Sequence, residues 1–282
     1  MGRKGAGTNK IILLALTPFL VWIIAFEAVP VLSMLLSSFQ SDNDQGFTLG
    51  HYITMMTGPI YQQAIKNSIT IAFFSSVAGT FFALFCAYSI TRFTRRRRDQ
   101  LLTFTNMVTN FSGVPLAFSY IILLGSNGMF TLLFQKLGWQ VLGSFDPYSW
   151  AGLTIVYIYF QIPMGIMLLY PAYYGIREEW REGAAILGAS NRKFWLYIGL
   201  PTIMPSVLGT FVILFANALG AYTTAYALSI NFNLLPIRIG KLVSGDVFAR
   251  PELGSALAVL LAITMLLALY INERMVKLTR RR

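Results

Sequence analysis

One cysteine, one histidine and only 11 acidic side chains are present in 282 residues. Each scarcity excludes something. Cys86 has no second thiol to pair with, so a disulfide scaffold is ruled out. His51 lies in a polar segment with no second ligand candidate nearby; it reads as a surface residue, and no metal site is expected. No G-x-x-x-x-G-K-[ST] run occurs, so the chain has no phosphate loop to bind ATP by that route. Nor is there H-E-x-x-H, G-x-S-x-G or a carboxylate pair inside an apolar run, the groups that intramembrane hydrolysis would need. No enzymatic activity and no bound cofactor are expected.

Charged residues make up 12% of the chain, about half the share of a soluble domain. Hydrophobic residues make up 56%, with a mean hydropathy of +0.61. That is more apolar surface than one water-facing fold can hide, and lipid is its natural solvent. Runs of about 20 apolar residues, the length that crosses about 30 Å of hydrocarbon, fall near 11–36, 67–91, 101–124, 151–174, 203–228 and 253–272. The first run is too long for a signal-peptide core and has no A-x-A site after it, so it reads as a retained span. The expectation is an all-α polytopic membrane protein with six transmembrane helices in one domain, 1–282. The uncharged stretches Leu101–Gln135 and Phe194–Ile237 exceed one crossing, and each is expected to hold a span plus a short re-entrant or interfacial piece.

The net charge of +11 is distributed as topology, not as a nucleic-acid surface. Of 22 lysines and arginines, 17 fall in the N-terminal tail, the segments after the second and fourth spans, and the C-terminal tail. Both termini are therefore expected in the cytoplasm. The run Arg95–Arg98 reads first as a stop-transfer anchor and second as an anionic-lipid site. Within the six spans the one charged residue is Glu27, about 24 Å along its helix from Ile11, too far from the midplane for a proton relay. A secondary carrier or stand-alone channel is thus the weaker alternative to a pump driven by a separate motor.

The segment 177–201 is the longest stretch of mixed charge, with three of the acidic residues. Glu178–Leu187 is rich in helix formers, with Trp180, Ala184 and Leu187 at the spacing of one helical face. Gly188 supplies a stop and Ser190 an N-cap for a second short helix ending before Pro201. A helix-turn-helix with charged and apolar faces suits protein docking.

The same residues resemble a known family. Type I ABC importer permeases carry a cytoplasmic loop E-A-A-x3-G-x9-I-x-L-P. Here Glu182, Gly183 and Ala184 are followed by three residues, Gly188, nine residues, then Ile198, Gly199, Leu200 and Pro201; the one departure is Gly183 in place of alanine. The resemblance implies the type I ABC importer permease fold and a coupling helix that seats in an ATPase subunit, with Glu182 bonding to it, Ala184 allowing close approach and Gly188 allowing the turn. It implies an ABC ATPase homodimer that uses the ATP, a second permease subunit (identical or a paralogue), a solute-binding protein and membrane lipids as partners. Asn217–Leu228 and Ile239–Val247 look most like the polyamine-type branch, which points to a polyamine, with an organic phosphonate or ferric iron as alternatives. On the residues themselves, Asn217, Tyr222, Thr223, Thr224 and Tyr226 put polar edges into an apolar fifth span. They either line the substrate pathway or act as glue between helices.

Overall fold

The computed structural model describes residues 16–42, 46–139, 145–228, 232–245 and 249–280. Among these the chain is all-α; the only β pairing is an isolated bridge between Gln40 and Phe47. The helices are α1 (Leu16–Ser37), α2 (Gly50–Thr57), α3 (Pro59–Thr91), α4 (Arg95–Asn110), α5 (Val114–Leu124), α6 (Met129–Lys136), α7 (Trp150–Tyr174), α8 (Glu178–Ile186), α9 (Asn191–Gly220), α10 (Thr223–Leu228), α11 (Leu235–Ser244) and α12 (Pro251–Arg280). Among the described residues, six segments are long and apolar enough to cross a membrane: α1, α3, α5 with α6 (Val114–Lys136), α7, α9 and α12 as far as Lys277.

Several boundaries differ from the sequence reading. The second crossing begins at Pro59, not near residue 67, because proline suits a first helical turn and Gln62, Gln63 and Lys66 are good helix formers. The run 101–124 is not one helix. It breaks after Asn110 and restarts at Val114, with Gly113 at φ +75°, a conformation that other residues adopt only at a cost. The run 203–228 likewise stops at Gly220, and Thr223–Leu228 forms a separate short helix. The docking segment's second helix does not end before Pro201. It passes through a π-turn at Trp195–Gly199, closed by the Leu200 N–H on the Trp195 carbonyl, and continues to Gly220. A π-turn rearranges the local hydrogen-bond ladder, so a proline without an N–H can follow without ending the helix. The same device stands at Ile24–Ala28, two residues before Pro30 in α1.

The described residues fall into two compact units. One holds the residues before Pro59 together with Ile239–Leu260; the other holds Pro59–Arg238 and Leu261–Arg282. In the first, His51 is buried, contrary to its reading as a surface residue. Its Nε2 lies 2.8 Å from the Gln40 carbonyl, and Tyr52 donates to Ser38 Oγ at 2.9 Å. Arg250 pairs with Asp42 in the same unit.

The second unit is built around α3 against α7. A Cβ on Gly79 would come within 2.9 Å of Gln161 Cβ, and one on Gly165 within 2.7 Å of Ala83 Cβ, so both glycines let the two backbones approach. In lipid such close packing and interhelical hydrogen bonds hold helices together, because apolar burial alone gains nothing over the acyl chains. Gln161, fully buried, donates from its amide to Ser75 Oγ at 2.8 Å and Ser76 Oγ at 3.2 Å, and Tyr173 donates to the Leu84 carbonyl at 2.7 Å. Apolar side chains fill the rest. Ile71, Leu116, Val156, Leu219 and Leu228 form one cluster; Ala83, Ala87, Leu169 and Ile203 form another. Asn67, Ser68, Asn233 and Arg238 tie the segment before α11 to the start of α3 by hydrogen bonds.

Candidate docking surface and translocation cavity

Two features of the second unit carry functional chemistry, and α9 runs from one to the other. Its 30 residues span about 45 Å at 1.5 Å each.

At the start of α9 lies the docking segment. α8 ends in a Schellman motif: the Gly188 N–H donates to the Ala185 carbonyl and the Ala189 N–H to the Ala184 carbonyl, both at 2.9 Å. Gly188 takes φ +76°, which suits glycine alone at little cost. Ser190 caps α9 by accepting from the Lys193 N–H. The segment is held to the bundle by Phe194, which is buried, and by Trp195, whose ring meets Tyr88 edge-on at 5.0 Å. Gly199 is buried under Trp195; a Cβ there would come within 2.9 Å of Trp195 Cζ3.

The outer side of this segment is uncovered. Ile186 and Leu187 are 86% and 87% exposed, and Tyr197 is 78% exposed. Glu182 and Pro201 are exposed, Gly183, Ile198 and Leu200 half-buried, and Ala184 buried. Of Trp180, Ala184 and Leu187, which share one helical face by spacing, Ala184 is buried and the other two are exposed. The motif residues Glu182, Gly183, Ala184 and Gly188 lie together on α8 and its stop, while Ile198, Leu200 and Pro201 lie in or just after the π-turn. Spacing alone did not single out Trp195 and Gly199 as supports beside Phe194, although the pair of adjacent aromatics ahead of a glycine is a readable signal.

At the far end of α9 is a cavity of about 650 Å³ lined by Thr109, Ser112, Gly113, Phe160, Met164, Ala216, Asn217, Gly220, Ala221, Tyr222, Thr223 and Thr224. Two helix breaks meet here. One separates α4 from α5 at Phe111–Gly113, and the other separates α9 from α10 at Ala221–Tyr222. Each break frees backbone groups, and the structure supplies partners for them. The Gly113 N–H donates to Thr224 Oγ1 at 3.0 Å, and Tyr157 donates its hydroxyl to the Ala221 carbonyl at 3.0 Å. Broken helices at membrane depth survive only where protein or a water-filled cavity satisfies them.

Four of the five proposed pathway residues, Asn217, Tyr222, Thr223 and Thr224, line this cavity. Tyr226 does not; it is exposed and stacks on Tyr222 with ring centroids 5.4 Å apart. Thr109, Ser112 and Gly113 were missed because they come from a different helix pair, although Ser112-Gly113 just before Pro115 is a helix-break signal. The wall carries no charged side chain, and Ser112, Asn217, Thr223 and Tyr222 make no side-chain hydrogen bond within the described residues.

Residues 79–282 match the family described as "Binding-protein-dependent transport system inner membrane component". The chain is 26% identical over 223 residues to the probable sulfate transport system permease protein cysT of Chlorella vulgaris, covering 77% of this chain and 80% of that one. It is 22% identical over 254 residues to the spermidine/putrescine transport system permease protein PotC of Haemophilus influenzae, covering 88% and 91%. Among solved structures, a chain of a bacterial ABC transporter involved in the import of the acidic polysaccharide alginate superposes with a TM-score of 0.80 at 18% identity, covering 97% of both chains.

Proposed function

Because the chain belongs to the family of binding-protein-dependent transport system inner membrane components, and is thus a multi-pass permease subunit of an ABC importer, we propose how its two features divide the work. The exposed Ile186–Leu187 edge beside Glu182 is the surface that seats in an ABC ATPase homodimer. α9 carries displacement of that surface to the cavity, with the π-turn at Trp195–Gly199 as its compliant joint. The cavity is this subunit's share of the solute pathway, completed by a second permease, identical or a paralogue. A solute-binding protein delivers the cargo from the other side. The chain holds no cofactor of its own; ATP is used by the motor. Both termini and the docking segment lie on the basic, cytoplasmic side of the bacterial inner membrane.

The observation that carries this reading is the pair of surfaces that α9 joins: large apolar side chains uncovered on the docking segment at its start, and hydrogen-bonding groups without intramolecular partners at the cavity. Substitution of Glu182 by alanine or Gly188 by arginine should weaken recovery of the ATPase with the purified chain and cut uptake, while membrane insertion stays intact. Normal recovery and uptake in both variants would reject the docking assignment.

Similarity does not single out the polyamine branch, since the relatives include sulfate, spermidine/putrescine, ferric and thiamine permeases. The chemistry of the cavity favours a solute that presents acceptors. A polyamine needs carboxylates to replace lost hydration in a low-dielectric site, and none lines this wall. Hydroxyls, an amide and backbone N–H groups beside a helix start suit an oxyanion or a neutral polyol. Competition of labelled-solute uptake by sulfate, spermidine and ferric complexes in cells carrying the full transporter separates these classes.

A further inference from the structure

The strongest feature outside the docking segment and the cavity is the start of α4. Arg95, Arg96, Arg97 and Arg98 occupy its first turn, and Arg92 precedes them in the short link after α3. A helix start is the wrong place for cations, because its free N–H groups already form the positive end of the macrodipole. Nothing in the described structure compensates. The first turn has no acidic residue, and Thr94 makes no side-chain cap. Arg95, Arg96 and Arg97 are exposed and form no ion pair or side-chain hydrogen bond among the described residues. Asp99 stands 3.9 Å from Arg98 Nε, which is buried without a hydrogen-bond acceptor, and Glu178, which shares a pocket with Arg92, is paired with Arg181.

The surroundings say which anion fits. α3, the longest crossing helix, ends at Thr91, so the cluster sits directly at the end of a membrane span. Aromatics gather at the same level. Arg92 lies over Tyr88 and donates to its hydroxyl, Arg98 lies over the Tyr174 ring at 5.8 Å, and Phe93 is exposed. Tyrosines at a span end mark the headgroup depth. Four residues beyond Arg97 the helix turns apolar, with Leu101 and Leu102 packed on the bundle and Phe104 and Met107 facing outward.

We propose that Arg95, Arg96 and Arg97, with the free N–H groups of the first turn of α4, form a binding site for the phosphate of an anionic phospholipid. Arg92 and Arg98, held by aromatic rings, frame it. The lipid supplies the negative charge that the helix start lacks, and its acyl chains lie along the exposed apolar flank of α4. This site is independent of the transport reading.

The test uses the full-length chain extracted from vesicles of equal phosphatidylglycerol and phosphatidylethanolamine, with retained lipids read by native mass spectrometry. Wild type should retain phosphatidylglycerol about threefold or more over phosphatidylethanolamine, a preference that falls as salt rises. Arg95→Gln/Arg96→Gln/Arg97→Gln should lose the preference, and Arg95→Lys/Arg96→Lys/Arg97→Lys should keep most of it. Equal melting temperatures for the three proteins confirm that folding is unaffected. No preference in wild type, or an unchanged preference in the glutamine variant, overturns the proposal. So does loss of the preference in millimolar inorganic phosphate, which would mark a free-phosphate site. A glutamine variant that keeps its lipids but no longer binds the ATPase overturns it too, since the cluster would then face an acidic protein surface.

Discussion

The two ends of α9 are finished in opposite ways. At the docking end the backbone is closed by its own motifs, the Schellman stop at Gly188 and the Ser190 cap, while large apolar side chains stay uncovered. At the cavity end the apolar side chains are packed, with Ala218 and Leu219 buried, while two backbone breaks are closed by borrowed side chains and several polar groups point at no partner. Uncovered apolar surface outside the membrane spans asks for a protein, and unfilled hydrogen-bonding groups ask for a hydrophilic solute. The contrast teaches where to expect each partner without any bound molecule in view.

The contrast predicts that substitutions at the two ends act on different observables. The largest effect should come from Ile186→Asp/Leu187→Asp. Burying two such side chains at an interface stabilises by about 1.5–3 kcal/mol each, so ATPase affinity should drop by about 100-fold or more. The melting temperature of the isolated chain should hardly move, because both side chains are exposed already. Pull-down titration checks the first and a thermal melt the second.

At the other end Thr224→Val should do the reverse. It leaves the Gly113 N–H without its acceptor, at a cost of about 1–3 kcal/mol, so the isolated chain should melt earlier while ATPase binding persists. Asn217→Ala removes an unfilled polar group from the cavity. Uptake should change by about tenfold, seen as a shift in the half-saturating solute concentration, with stability and ATPase binding kept. The smallest effect should be Gly183→Ala. A Cβ there meets nothing within 4 Å, so the helix gains about 0.5–1 kcal/mol and the docking end stiffens without a new contact. A variant that moved both ends' observables together would dissolve the division.

Much of this was legible before the structure. The run of helix formers from Glu178, the Gly188 stop and the Ser190 cap are local chemistry, and they appear where their residues place them. What the sequence hid is non-local. Hydropathy reads 203–228 as one span because every residue is uncharged, yet the helix breaks where Tyr157, 64 residues before Ala221, can bond the freed Ala221 carbonyl. Thr109, Ser112 and Gly113 join the cavity only because Thr224, from another helix, accepts from Gly113. Pro201 misled in the other direction. A proline near a helix start normally argues for a boundary, but the π-turn before it carried the helix through. The burial of His51 depends on the Gln40 carbonyl being turned toward it, which no spacing rule encodes.

Cysteine labelling at the docking edge gives the most direct test. Cys86 is exposed and must first be replaced by alanine; Leu187→Cys then provides a single reporter at a site 87% open. In membrane vesicles the reporter should react readily with a soluble maleimide when the chain is alone and be protected when the ATPase is bound. Equal labelling with and without the bound ATPase would contradict the assignment of this segment as the motor's seat.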